Sequence, residues 1–256
     1  MPKSQHATGW SAEDLREDPH TAVDKAARVE AMFTDIAPRY DLNNRLHSMW
    51  RDQAWRKRAV EMAKILPNDH VLDMACGTGD LTAMLAQEHP ARTLGIDYTE
   101  AMLEIARRKA AGIPIKHRPT YQKGDAMDIE LEDLSMDVIT IAFGIRNVAE
   151  PERAVAEFAR ILRPGGRLLI LEFSTPSNSL IRMMNTLYTR HLMPLTAGLI
   201  AGDRSGAYRY LPRSISTFAD PSALSAMLER HGFETMEQRR LTLGLCTITH
   251  AKLTDS

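Results

Sequence analysis

The run Asp73-Met74-Ala75-Cys76-Gly77-Thr78-Gly79-Asp80 sets two glycines among carboxylates. Glycines at a strand-to-helix turn let backbone N–H groups approach a ligand closely, which is how nucleotide folds hold a cofactor. Dinucleotide folds add a third glycine three residues after the second, where helix and pyrophosphate pack, and Thr82 stands there instead. Asp73 and Asp80 would repel a pyrophosphate but suit a cationic nucleoside. S-adenosylmethionine, with its ammonium and sulfonium and no phosphate, has that chemistry. Asp97, eighteen residues after Gly79, is placed to accept hydrogen bonds from both ribose hydroxyls. In Gly124-Asp125-Ala126, Asp125 either accepts the adenine amino group while Ala126 donates from its backbone, or closes an Asx turn. Ala142 and Phe143 would lie beneath the cofactor. The cofactor-binding set is therefore Asp73, Gly77, Thr78, Gly79, Asp97, Asp125, Ala126 and Ala142.

These residues need strands that end beside one another. Val71 to Ala75, Thr93 to Asp97, Tyr121 to Lys123, Val138 to Phe143 and Arg167 to Phe173 read as strands. Helical spacing falls between them: Leu81, Met84 and Leu85; then Met102, Leu103 and Ala106 behind the cap Thr99; then Val155, Phe158, Ala159 and Leu162 behind Pro151. Strand and helix in alternation build a doubly wound parallel sheet covered on both faces. After a helix opened by Asp220-Pro221 and stopped by Gly232, Glu234 to Leu241 and Leu245 to Leu253 are joined through Leu243-Gly244. So tight a connection makes them antiparallel. The predicted fold is α/β: the class I methyltransferase, Rossmann-like arrangement of seven strands, mostly parallel with an antiparallel last strand. Residues 26–66 add N-terminal helices, the first carrying Val29, Met32, Phe33 and Ile36 on one face and the second spanning about Trp55 to Leu66; 177–215 add a helical insert. Residues 1–25 show no sustained period and are expected to form a mobile tail before a single domain, 26–256.

In 256 residues, 44% hydrophobic and 25% charged, there is ample material for one core. A formal net charge of -1 offers no field for nucleic-acid phosphates. The polar start and the absence of a long apolar run predict a cytoplasmic protein. Cys76 and Cys246 lie far apart with no paired-ligand spacing, which argues against a disulfide or a zinc site.

Three segments carry a more specific likeness: Phe143-Gly144-Ile145-Arg146-Asn147-Val148; Arg163-Pro164-Gly165-Gly166-Arg167 running to Glu172-Phe173-Ser174; and Tyr208-Arg209-Tyr210-Leu211 with Ser214-Ile215. Together with Phe33 to Asp41, Asn44, Ser48 and Trp55, they resemble the ubiquinone/menaquinone biosynthesis C-methyltransferases over about Val29 to Leu253. The chain departs from that pattern at Asn43, where the family usually has Met, at Asp52 and Gln53, where it has a His-Arg pair, and at Cys76, where glycine is common. The resemblance implies methyl transfer from S-adenosylmethionine to a ring carbon of a prenylated quinol, benzenoid or naphthoid, with no metal required. It places Arg146 and Asn147 on the quinol oxygens, the alternative being a structural clamp on their loop, and has Tyr40 and Asp41 close the pocket. Between Ser177 and Gly202 an apolar, Met-rich insert suits a prenyl tail and peripheral membrane contact; a helix pair packed on the core or on a second copy of the chain explains it equally. Two other readings stay open: a methyltransferase of an unrelated small molecule, and a non-catalytic cofactor-binding scaffold, against which Arg146 and Asn147 argue.

Overall fold

The computed structural model describes residues 9–11, 13–189 and 206–254. Seven strands form one sheet: β1 (His70–Met74), β2 (Arg92–Asp97), β3 (Thr120–Lys123), β4 (Met136–Ala142), β5 (Leu162–Phe173), β6 (Phe233–Leu241) and β7 (Cys246–Leu253). Their order is β3-β2-β1-β4-β5-β7-β6. The chain steps outward from β1 to β2 and β3, then returns to the other flank of β1 as β4, so the β1/β4 boundary is the switch point where open α/β sheets bind ligands. β7 alone is reversed, antiparallel to both β5 and β6. The expected fold is the one observed.

Period-two alternation sorts the strand residues onto two layers. Leu72, Ile139, Ile141, Leu168 and Ile170 pack with α6 (Pro151–Ile161) and α9 (Pro221–Arg230). Val71, Val138, Leu169 and Leu171 pack on the opposite side with α3 (Arg51–Ala63) and α4 (Asp80–Ala86). Phe158 and Leu85 are fully buried in these two layers, and each such side chain contributes roughly 1.5–3 kcal/mol. Asp220 caps α9 by accepting from the Ala223 N–H at 2.9 Å, as its place before Pro221 predicts. Both cysteines are buried thiols.

The N-terminal region differs from the expectation. Where two helices are expected there are three: α1 (Lys25–Ile36), α2 (Tyr40–Ser48) and α3. α2 hides from a periodicity search because its pattern is inverted, with Asn43 buried at 1% exposure while Leu42 and Leu46 are 49% and 39% exposed. Nor is the segment before α1 a loose tail from Trp10 onward. Trp10 is 2% exposed, in a third cluster with Val29, Met32 and Tyr210. A lone tryptophan among polar residues leaves no period to read, yet its ring is buried against α1 and Tyr210.

Of the insert, α7 (Ser179–Leu187) is described, and α8 (Ala207–Thr217) follows it among the described residues. Arg190, His191, Leu192, Met193, Leu195, Leu199 and Ile200 lie outside the described residues. No described helix is long and apolar enough to cross a membrane.

Candidate active site

A cavity opens at the carboxyl ends of β1, β2 and β4, with about 750 Å³ of empty space including its mouth. Gly77, Asp97, Asp125, Ala126 and Ala142 line it together. Apolar α1 side chains, Val29 and Phe33, form the facing wall. A smaller chamber adjoins it, sharing Tyr40, Ala75, Gly77 and Ala142, and is otherwise lined by Arg56, Asp73, Thr78 and Asp80.

The loop after β1 is held in place by side chains. Gly79 has φ +80°, and a side chain there would run into the Tyr121 hydroxyl and the Ala106 methyl. Asp97 accepts from the N–H of Gly77 at 2.7 Å and of Thr99 at 2.8 Å, so it ties the glycine loop to β2. Burial raises its pKa against the pull of those N–H donors. Asp73 accepts hydrogen bonds from the hydroxyls of Thr82 at 2.6 Å and Thr140 at 2.8 Å. Burial pushes it up to about 6 while the two hydroxyls oppose the shift. Thr82, at the place of the absent third glycine, thus orients a carboxylate near the end of β1. Asp125 accepts from the Met127 N–H at 2.9 Å, closing the Asx turn, and still lines the cavity.

α2 lies over this loop. Thr78 donates to Asp41 at 2.5 Å, Arg45 pairs with Asp80 at 3.1 Å, and Lys109 from α5 (Glu100–Ala110) reaches both Asp41 and Asp80. Asp52 and Gln53, the departures from the family pattern, belong to the same network. Gln53 Nε2 donates to Asp52 at 2.7 Å and to Asp80 at 3.1 Å, and Ser48 donates to Asp52 at 2.8 Å. Tyr40 stands where the two chambers meet, and burial keeps its phenol protonated.

Arg56 escapes a sequence reading. It is 8% exposed on α3, lines the smaller chamber and leaves Nε without a partner, its guanidinium carbon 5.4 Å from the Phe143 ring centroid. A buried guanidinium with an unmet donor calls for an anion. Arginine at mid-helix is ordinarily solvated, so its sequence position carries no signal.

Arg146 and Asn147, together in the sequence, separate in the structure. Asn147 lines the cavity. Arg146 is buried behind the loop, with Nη1 donating to Phe143 O at 2.7 Å and to Glu172 at 2.6 Å. Its charge is therefore met by Glu172 on β5, which is the clamp geometry. Burial raises the Glu172 pKa and Arg146 opposes the rise. Removing one partner of a buried ion pair costs about 3–5 kcal/mol, so Arg146→Ala should lower the melting temperature by on the order of 10 °C. An unchanged melt with lost turnover would instead put the guanidinium on the acceptor.

A glycine loop at the switch point, an acidic residue ending β2 and a reversed β7 together mark the class I methyltransferase fold. The chain belongs to the ubiE/COQ5 methyltransferase family, whose model matches residues 21–253. It is 44% identical over 218 residues to a demethylmenaquinone methyltransferase of Thermus thermophilus, covering 85% of this chain and 97% of the relative. It is 37% identical to the ubiquinone/menaquinone biosynthesis C-methyltransferase UbiE of Geobacter sulfurreducens, covering 93% of each. Among solved structures it is similar to magnesium protoporphyrin IX methyltransferase of Synechocystis, crystallised with SAH, at a TM-score of 0.57 and 18% identity, covering 83% of this chain and 86% of that one. The [4+2]-cyclase SpnF has a comparable likeness, TM-score 0.61 at 17% identity over 80% and 81% of the two chains, so the fold by itself leaves the chemistry open.

The cofactor of this family is S-adenosylmethionine, and the residues present fit it. The unmet Arg56 donor suits an α-carboxylate, and the carboxylates that line the same chamber, Asp73 and Asp80, suit an ammonium.

Proposed function

We propose that the chain methylates a ring carbon of a prenylated quinol, demethylmenaquinol or the corresponding ubiquinone-pathway benzoquinol. The observation that carries this reading is one cavity lined by the carboxylates Asp97 and Asp125, by the apolar α1 side chains Val29 and Phe33, and by the amide of Asn147. An apolar aromatic ring with polar oxygens fits that wall, and the names of the relatives supply the substrate class.

When bound, the cofactor supplies an electrophilic methyl group on sulfur. The chain's own residues do the rest. Asp97 receives the ribose hydroxyls; Ala126 and Asp125 border the adenine; Asp73, Gly77, Thr78 and Gly79 shape the amino-acid end, where Arg56 takes the carboxylate. Ala142 and Phe143 line the same cavity and would hold the cofactor from the end of β4. A ring carbon becomes nucleophilic once a neighbouring hydroxyl loses its proton, and Asn147 donates a hydrogen bond to the oxygen that carries the developing charge. The ring carbon's own proton leaves to water after transfer. Tyr40, protonated, closes the approach from α2. Arg146 acts through the loop that presents Asn147.

Exposed apolar side chains surround the α2–α3 turn and α7: Met49, Trp50, Leu180, Met183, Met184 and Leu187 are each more than half exposed. This surface supports peripheral contact with the membrane that dissolves the acceptor's tail, a second copy of the chain being the competing occupant.

Asn147→Ala should leave S-adenosylhomocysteine affinity within twofold of wild type by calorimetry. It should lower turnover of a short-tailed demethylmenaquinol on the order of a hundredfold. Equal turnover would remove the amide from the acceptor site.

A further inference from the structure

We propose that Tyr210 and Trp10 are positioning residues for the acceptor, with the N-terminal segment fixing, through them, the amide of Asn147. The inference rests on Asn147 facing the acceptor. Asn147 Nδ2 donates to Phe143 O at 3.1 Å, and a carbonyl can only accept, so the amide nitrogen must lie on that side. Oδ1 then faces the Tyr210 hydroxyl at 3.0 Å and accepts its proton. One N–H of the amide is left for the cavity that Asn147 lines. Rotating the amide would set oxygen against the Phe143 carbonyl and withdraw that donor. Burial pushes the Tyr210 phenol up to about 12, so it remains a donor throughout the physiological range.

Tyr210, 1% exposed, is itself held from outside the domain core. Trp10 stacks on its ring at 4.9 Å with planes 22° apart, and the Arg28 guanidinium lies 5.5 Å from the Trp10 ring centroid. A side chain at Gly206 would collide with the Trp10 carbonyl, so the glycine admits this close approach. Further along, Arg213 donates to the carbonyls of Arg16 and Glu17, and His20 Nε2 bonds Ser214 O at 3.0 Å. Lys25, where α1 begins, donates to Val148 O at 2.5 Å, on the residue next to Asn147. The segment is fastened at both ends of the same relay, which runs Trp10, Tyr210, Asn147, acceptor. Among the described residues, Trp10 and Tyr210 make no hydrogen bond to Asp97, Asp125 or the glycine loop, so their replacement should spare the cofactor.

Single variants and a double-mutant cycle in the full chain test this, with reduced short-tailed demethylmenaquinol as acceptor. Tyr210→Phe keeps the ring and the stack but loses the hydroxyl; it should lower kcat about tenfold while S-adenosylhomocysteine affinity by calorimetry stays at wild type. Trp10→Ala should lower kcat by a similar factor, and Trp10→Phe should restore most of it. In an Asn147→Ala background neither change should lower kcat further, because the group they position is gone. The same proportional loss in both backgrounds, or full kcat in Tyr210→Phe, overturns the relay. Full kcat in Asn147→Ala alone overturns the acceptor reading itself and the relay with it. Should Trp10→Ala unfold, Tyr210→Phe decides between these outcomes, since it removes a single oxygen.

Discussion

Asp97→Ala should weaken S-adenosylhomocysteine binding about a hundredfold or more. Two contributions add. The carboxylate is placed to take both ribose hydroxyls, and each hydrogen bond to a charged group is worth roughly 1.5–3 kcal/mol. The same carboxylate holds the Gly77 and Thr99 N–H groups, so its removal also releases the glycine loop that shapes the amino-acid end. Asp97→Asn keeps one acceptor oxygen and should lose less. Calorimetry gives the affinities, and a thermal melt of each variant separates lost contacts from lost fold. Wild-type affinity in a folded Asp97→Ala protein would move the nucleoside elsewhere.

The strand pattern and the glycine loop are legible in the sequence because both are local. Val71 to Met74 and Val138 to Ala142 are mostly apolar runs closed by turn residues, and Asp73 and Asp97 fall in the last two residues of their strands. What stays hidden depends on partners distant in sequence. Arg146 reads as a free cation until Glu172, on the neighbouring strand, is placed 2.6 Å from it. Arg56 reads as a surface arginine until α3 lays it over Phe143 and leaves Nε unmet. The role of Thr82 is invisible until β1 and β4 pair, setting Asp73 between its hydroxyl and that of Thr140. α2 and the Trp10 segment escape for a related reason. Neither buries an amphipathic stripe, one placing Asn43 inward and the other held by the Trp10 ring and by hydrogen bonds to residues far along the chain.

Asp52 and Gln53 gain a physical account from the same network. In place of a His-Arg pair, Gln53 donates to both Asp52 and Asp80, while Asp52 accepts from Ser48 and so joins α3 to the end of α2. They touch the loop side of the site, not the α1 wall, so the departure bears on how the cofactor end is held and leaves the acceptor wall alone.

The second large effect concerns the redox state of the acceptor. Only the quinol has hydroxyls whose deprotonation pushes electron density onto the adjacent ring carbon. The quinone is electron-poor at that carbon, and two electron-poor centres do not join. Asn147 adds to the difference, since a hydrogen bond to a phenolate is stronger than one to a neutral carbonyl. The most direct measurement is therefore anaerobic methyl transfer by the purified protein. Methyl-labelled S-adenosylmethionine is mixed with a short-tailed demethylated quinone, supplied either oxidised or fully reduced, and the product is analysed by mass spectrometry. The account predicts label on the ring carbon of the reduced acceptor and at least a hundredfold less on the oxidised one. Equal labelling of both forms, or label on oxygen instead of carbon, would contradict it.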